Sequence, residues 1–407
     1  MFLFKLAFLN ITRNVRRSLI TVMAVGVGLA ALIFLWGFND GTIEQMRENV
    51  IRLFTGHVQI HARGFEKSLS PELFLAQREK VLIDVAANPA VSRITERVKC
   101  EALVGTSENS RGVLLVGVDP ERERQITDLE DHIEAGRYLE PDGNREILVG
   151  DRLAKKIGLD LDDKVVVMTQ AMDGTLAGYA YRVKGIFHTG SQQIDEVSVY
   201  ITLASAQELL GLGEDVHEIV IQLSDRKGIE PFLEWAKISL GSEKYEVLKW
   251  NELIPEVDQW TQWAEAVIGT ILIAVMVVIG VSIMNTVLMS IYERTRELGV
   301  MMAIGTSPSQ IVQLILLETL ILEGLGIILG LVGGYLVTIY FGEVGISFHG
   351  VEEAFSRSYM STVVFTKVEW PHVVQSVITL ILLTSFIGLY PAWKASRMEP
   401  VKAIYYS

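Results

Sequence analysis

Two histidines four residues apart, His57 and His61, carry the spacing closest to a metal site. On a helix, positions i and i+4 share a face and can converge on one ion. Here Val58 and Ile60 alternate with His57, Gln59 and His61, which is a strand signature, and in a strand the two rings share a face yet stand ~13 Å apart. No metal is expected there. The paired acids Glu352-Glu353 and Asp162-Asp163 read as solvated loops. No lysine follows a glycine anywhere, so a phosphate-binding loop of the G-x-x-x-x-G-K-[ST] type is absent. Neither G-x-S-x-G nor H-E-x-x-H occurs. Cys100 is the single cysteine, which rules out an internal disulfide but leaves the compartment open. The residues thus hold no catalytic constellation, no metal site and no cofactor site, so the chain is not expected to be an enzyme by itself.

The surrounding elements say more. The chain has 407 residues, half of them hydrophobic, and a hydrocarbon core of ~30 Å needs ~20 apolar residues in a helix. Four stretches qualify: Ser18 to Phe38 (span 18–38), Ala266 to Tyr292 (span 266–292), the glycine-rich Gly324 to Phe341 (span 323–342) and His372 to Trp393 (span 372–393). The net charge of -13 is unevenly spread, with 25 Lys/Arg against 40 Asp/Glu from Asn39 to Glu265 and 11 against 9 elsewhere. An acidic block of this kind does not bind nucleic acid by charge.

Lys5, Arg13, Arg16 and Arg17 precede the first span, Arg294 and Arg296 follow the second, and Lys394, Arg397 and Lys402 follow the fourth. The loop 343–371 carries only Arg357 and Lys367 among its cations. Cations on the cytoplasmic side place both termini (1–17 and 394–407) inside and residues 39–265 outside. The first span is read as a retained anchor, because Phe34-Leu35-Trp36-Gly37-Phe38 offers no small-x-small cleavage site.

Past the first span, Ile43, Met46, Val50, Ile51 and Leu53 keep near-helical spacing, so that helix is expected to continue as a stalk. Trp250, Trp260 and Trp263 suit the membrane interface or the base of the outer domain. Between the stalks the pattern is mixed α and β: strands at Val113 to Val118, Glu146 to Val149, Val165 to Met168 and Tyr179 to Phe187, a short helix over 150–157, and β-α-β from Ile219 to Leu248. A two-part domain follows, with its middle inserted into a β-α-β frame. The fold class is therefore a membrane α-helical protein with four transmembrane helices and a large mixed α/β extracytoplasmic domain.

On the membrane side, the second span runs into Asn285-Thr286-Val287-Leu288-Met289-Ser290-Ile291-Tyr292-Glu293-Arg294-Thr295-Arg296-Glu297-Leu298-Gly299. A short amphipathic segment broken at Gly305 and restarted near Pro308 makes a charged elbow over 293–322, which is either a docking surface or an interfacial anchor. Glu318 and Glu323 are expected in water, on a helix from Ile311 to Leu322 lying at the interface. Gly326, Gly330 and Gly334, four apart, would allow close helix packing.

The elbow resembles the signature of the FtsX/MacB superfamily of ABC permeases, an N-T-x-x-M-S-x-x-E-R-T-R-E-I/L-G run before a small-residue turn. The ending Tyr390-Pro391-Ala392-Trp393-Lys394-Ala395-Ser396-Arg397-Met398-Glu399-Pro400-Val401-Lys402-Ala403-Ile404 resembles the family's P-A-x-x-A-x-x-x-x-P-x-x-A-L/I close. The resemblance implies a permease that lacks its own ATPase and works by mechanotransmission in the bacterial inner membrane. Its partners would be a dimer of ABC ATPase subunits, which hold the ATP and Mg, and a second permease copy or paralogue. It also implies that Glu293, Arg294, Arg296, Glu297 and Gly305 face the ATPase or form the elbow.

Within the superfamily, Gly117-Val118-Asp119-Pro120 with Ala135-Gly136-Arg137, Glu146-Ile147-Leu148-Val149-Gly150 with Leu153-Ala154, and Gly185-Ile186-Phe187 with Val199-Tyr200-Ile201 and Ala204-Ser205-Ala206-Gln207 look most like the LolC/LolE lipoprotein-releasing permeases. One Lol type captures a periplasmic carrier protein through a proline-containing hook; the matching loop here, Thr169 to Tyr181, has no proline. Three functions stay open: lipoprotein release, MacB-like efflux of peptides or amphiphiles, and FtsX-like activation of a cell-wall hydrolase.

Overall fold

In the computed structural model, residues 2–241, 243–348, 350, 355, 360, 362–399, 401 and 403 are described. Glu352, Glu353, Arg357, Pro400, Lys402 and Ile404, named above, lie outside them. The chain divides into two compact units: residues 1–43, 260–347 and 363–407, and residues 44–259 with 348–362.

The first unit is helical. Among the described residues, four helices are long and apolar enough to cross a membrane. TM1 is Val15–Val50, continued by a π-turn over Ile51–Thr55, so the first span runs on as the expected stalk. TM2 is Pro255–Glu293, TM3 is Pro308–Val344 and TM4 is Trp370–Ser396 with Pro391 inside it. The segment before TM1 is itself a helix, Phe2–Arg13, and it packs along TM3.

TM3 starts where its sequence says a helix should. Ser307 Oγ accepts from the Gln310 backbone N–H, the Gln310 side chain accepts from the Ser307 N–H, and Pro308 fills the first turn. From there it is continuous to Val344, which corrects the separate interfacial helix expected over 311–322. No glycine or proline interrupts the chain between Pro308 and Glu323, and both carboxylates on it find partners inside the bundle.

Gly326, Gly330 and Gly334 face TM1. A Cβ at Gly330 would stand 2.8 Å from both the Gly26 carbonyl oxygen and the Leu29 Cβ, and one at Gly326 would stand 2.6 Å from the Val25 Cβ. The two backbones therefore approach closely along one stripe. Val25, Leu29, Leu32 and Ile33 of TM1 share a buried cluster with Met276, Ile279 and Ile283 of TM2 and Leu380 of TM4.

The second unit is built on one sheet of ten strands: β1 Val58–Ala62, β2 Val91–Gly105, β3 Ser110–Val118, β4 Ile133–Gly136, β5 Glu146–Gly150, β6 Lys164–Gln170, β7 Leu176–Phe187, β8 Ser198–Thr202, β9 Glu218–Leu223 and β10 Tyr245–Lys249. The order is β10-β1-β9-β2-β3-β8-β5-β7-β4, with β6 on β2 and β7. The β-α-β frame is present: β9 and β10 both run antiparallel to β1, joined through the helix Ile229–Ala236. The two-part reading changes in one respect, because both parts share this sheet. The long strand β2 makes the join, pairing with β9 at one end and with β3 and β6 at the other. Its polar run Arg93, Thr95, Glu96, Arg97 and Lys99 hid it from a search for apolar alternation.

His57 and His61 are buried and separately employed. His57 Nδ1 accepts from the Leu223 N–H, and His61 Nε2 lies 3.0 Å from Gln59 Oε1. Asp162 pairs with Lys184, and Asp163 accepts from the Asp160 N–H. Trp250 packs on the apolar cluster of Met46, Val50, Ile254 and Val257, while Trp260 and Trp263 are exposed.

Candidate coupling elbow

TM2 ends at Glu293, and the chain breaks at Arg294 before a short helix, Thr295–Ala303. This elbow helix closes at Gly305, where φ is +102° and the Gly305 and Thr306 N–H groups bond back to the Met302 and Met301 carbonyls. Among the described residues beyond its chain neighbours, no atom lies within 4 Å of a Cβ built there, so the need for glycine comes from the backbone angle.

The inner face of the elbow is clamped. Arg294 is the centre, its side chain 8% exposed. Its guanidinium donates to Glu318 at 2.8 Å and to Glu297 at 3.1 Å. Asn10 of the N-terminal helix donates to the same Glu318 oxygen at 2.5 Å. Arg13 donates to Glu297 at 2.8 Å, and Arg17 donates to Glu293 at 2.5 Å and to Ser290 Oγ at 3.1 Å. Burial pushes the Glu297 carboxyl up, but the bonds from Arg13 and Arg294 outweigh it and hold the group below its ordinary value. The N-terminal helix, the elbow and the start of TM3 are thus tied by one polar network, and Arg17 of TM1 separately holds the end of TM2.

The outer face is different. Arg296, Val300 and Ile304, each four residues from the next, are all exposed, Ile304 at 79%. Arg296 makes no ion pair among the described residues. Of the five positions carried over from the resemblance, Glu293, Arg294 and Glu297 therefore serve the clamp, Gly305 makes the turn, and Arg296 faces outward.

Sequence reasoning missed Asn10 and Arg13 as elbow partners and Arg17 as the partner of Glu293 at the end of TM2. The four-residue spacing of Arg13 and Arg17 was visible, but it was spent on the charge rule. It also placed Glu323 in water. That side chain is 2% exposed and accepts a hydrogen bond from Thr384 of TM4.

In the other unit, the C-terminal end of the TM1 stalk is held by charges. Arg226 pairs with Glu44 at 2.6 Å and also with Glu48. Arg97 on β2 donates to the Phe54 carbonyl at 2.6 Å, to Glu123 at 2.6 Å and to Glu218 at 3.3 Å. Lys99 and His61 also lie near Glu218.

Residues 18–236 match the model of the MacB-like periplasmic core domain, and residues 269–400 match that of the FtsX-like permease C-terminal region. The lipoprotein-releasing system transmembrane protein LolC of Xylella fastidiosa strain Temecula1 is 22% identical over 96% of this chain and 94% of its own length. The macrolide export ATP-binding/permease protein MacB of Wolinella succinogenes is 23% identical over 98% of this chain, which spans 60% of that relative. The periplasmic region of MacB from Actinobacillus actinomycetemcomitans covers 52% of this chain and 97% of its own, at 15% identity and a TM-score of 0.37. One family model covers more than half of the chain and the other takes in the elbow, so the chain belongs to the FtsX/MacB superfamily of ABC transporter permeases.

Proposed function

We propose that this permease releases lipoproteins from the bacterial inner membrane by mechanotransmission, with both termini in the cytoplasm and ATP and Mg held by a separate ATPase dimer. A second permease copy or paralogue completes the complex. The observation that carries the coupling is the two-faced elbow. A network around Arg294 fixes its inner face to TM3 and the N-terminal helix, while its outer stripe of Arg296, Val300 and Ile304 is left exposed. A lever needs both a rigid attachment and a free contact surface. Support for lipoprotein cargo comes from the LolC relatives, which align over nearly the whole of both chains, whereas the MacB relatives extend well beyond this one.

Two measurements test this. Ile304→Glu places a charge on an exposed position, so folding is expected to be unchanged while the ATPase no longer co-purifies. Retention of the ATPase by Ile304→Glu and Val300→Glu together returns the elbow to an interfacial anchor. For the cargo, the wild-type complex is purified in mild detergent and its companions identified by mass spectrometry. Triacylated proteins released on adding ATP are expected; an adaptor protein or a cell-wall hydrolase in their place removes the lipoprotein reading.

A further inference from the structure

The outer domain brings together three side chains that nothing in the elbow or the stalk uses: Asp151, His188 and Asp195. Sheet topology does this. Strands β5 and β7 are parallel neighbours, with Gly150 paired to Phe187. The next residue of each, Asp151 and His188, therefore leaves the sheet at the same end. Asp195 arrives on the helix Gln192–Val197. That helix lies so close to β5 that a Cβ at Gly150 would stand 2.1 Å from the Asp195 carbonyl oxygen, so glycine is what admits it.

Each of the three has a free atom, and both carboxylates have one committed oxygen. Asp151 accepts from Lys155 Nζ through Oδ2 at 2.7 Å. Asp195 accepts from the Thr189 N–H and hydroxyl through Oδ1 at 2.9 and 2.7 Å. The remaining atoms, Asp151 Oδ1, Asp195 Oδ2 and His188 Nδ1, are buried and have no hydrogen-bond partner among the described residues. They face one another: His188 Nδ1 lies 3.2 Å from Asp151 Oδ1 and 3.4 Å from Asp195 Oδ2. Ligands held ~2.0–2.2 Å from one ion at tetrahedral to octahedral angles stand about 3–3.5 Å apart.

Charge points the same way. Asp195 is fully buried, 0% exposed, and a buried carboxylate oxygen with no partner is costly. Lys155 already offsets Asp151, which leaves the buried Asp195 with no fixed cation among the described residues beyond the His188 imidazole; a divalent cation in the cluster would offset it. The oxygens committed to Thr189 and Lys155 are the outer contacts that orient ligands in built sites. His188 is 39% exposed, which opens the site to solvent on one side and leaves room for water as a further ligand. The sequence expectation of no metal site came from His57 and His61 and did not consider these residues, which lie up to 44 positions apart.

We propose that Asp151, His188 and Asp195 bind a divalent transition-metal cation of the zinc type, which fastens the ends of β5 and β7 to the helix that follows. Two carboxylates and one imidazole suit zinc, manganese or ferrous iron.

The test uses the full-length protein in mild detergent, stripped with a chelator and titrated with Zn2+. Calorimetry and elemental analysis are expected to give about one ion per chain, with a metal-dependent rise in Tm. Asp195→Asn and His188→Gln are each expected to weaken binding by more than the roughly 10–100-fold that loss of an outer contact costs, and to abolish the rise in Tm. His188 is partly exposed, so His188→Gln decides the matter if Asp195→Asn fails to fold. No binding by wild type, or equal binding by wild type and His188→Gln, overturns the site.

Discussion

At the scale of single residues, burial ranks the members of the elbow network. The Arg294–Glu318 pair is 8% and 13% exposed, whereas Arg13 and Glu297 are each about half in water. Removing one partner of a buried pair strands the other and costs ~3–5 kcal/mol; an exposed pair contributes ~0–1 kcal/mol. Arg294→Ala is therefore expected to lower the Tm of the detergent-solubilised protein by several degrees and to uncouple ATP hydrolysis from release. Arg13→Ala is expected to leave Tm nearly unchanged. Equal Tm losses in the two variants would mean that Arg294 does not organise the elbow. The sequence supplied the residue types of this network but not their pairing. Arg294 and Arg296 are indistinguishable in a motif, and only the direction each takes around the helix end separates a buried anchor from an exposed contact.

At the scale of elements, the contact between TM1 and TM3 depends on glycine. A Cβ at Gly330 meets the Gly26 backbone, which cannot move aside as a flexible side chain would. Gly330→Val is expected to force the helices apart and lower Tm, while Gly324→Ala, whose Cβ would meet no atom within 4 Å among the described residues beyond its own helix backbone and chain neighbours, is expected to be neutral or slightly stabilising. Thermal denaturation of both variants checks this; no Tm loss in Gly330→Val would mean that the stripe tolerates separation. The four-residue glycine spacing was legible in sequence because helical periodicity alone places such residues on one face. Which helix they meet was not, since several spans offer small residues. The continuity of TM3 through residues 308–322 was not legible for a related reason. Glu318 and Glu323 look prohibitive inside an apolar helix until Arg294 and Thr384, which lie far away in sequence, are seen to satisfy them.

At the scale of the whole molecule, two chemically distinct units coexist in one chain: a bundle held by apolar and glycine packing, and an acidic α/β domain with charges in its core. Glu218 is fully buried. Burial would raise its carboxyl, but Lys99, His61 and Arg97 outweigh that and hold it well below the carboxylate range. A depressed value contributes stability above the unfolded value, ~4.3, and that contribution is lost as pH falls through the folded value. Near-UV circular dichroism of the wild type is expected to show Tm falling steeply below about pH 4.3. Glu218→Gln is expected to be less stable at neutral pH and to show a shallower slope in that acid window. Identical slopes would place the acid sensitivity elsewhere.

The amino-acid sequence by itself determined the number of spans, the presence of an acidic α/β domain between the first two and the family, because length, apolarity and a short-range motif are local properties that survive without a partner. It also placed strands with a strong local signal, such as the alternating β1 and the apolar run of β3. What it did not determine was every relation that joins distant segments: the sheet-wide strand β2, the hold of the N-terminal helix on the elbow, Glu323 meeting Thr384, and the convergence of Asp151, His188 and Asp195. Those contacts join residues tens to hundreds of positions apart, and the energy that justifies a buried charge or a glycine stripe resides in the partner. Only the tertiary structure supplies that partner.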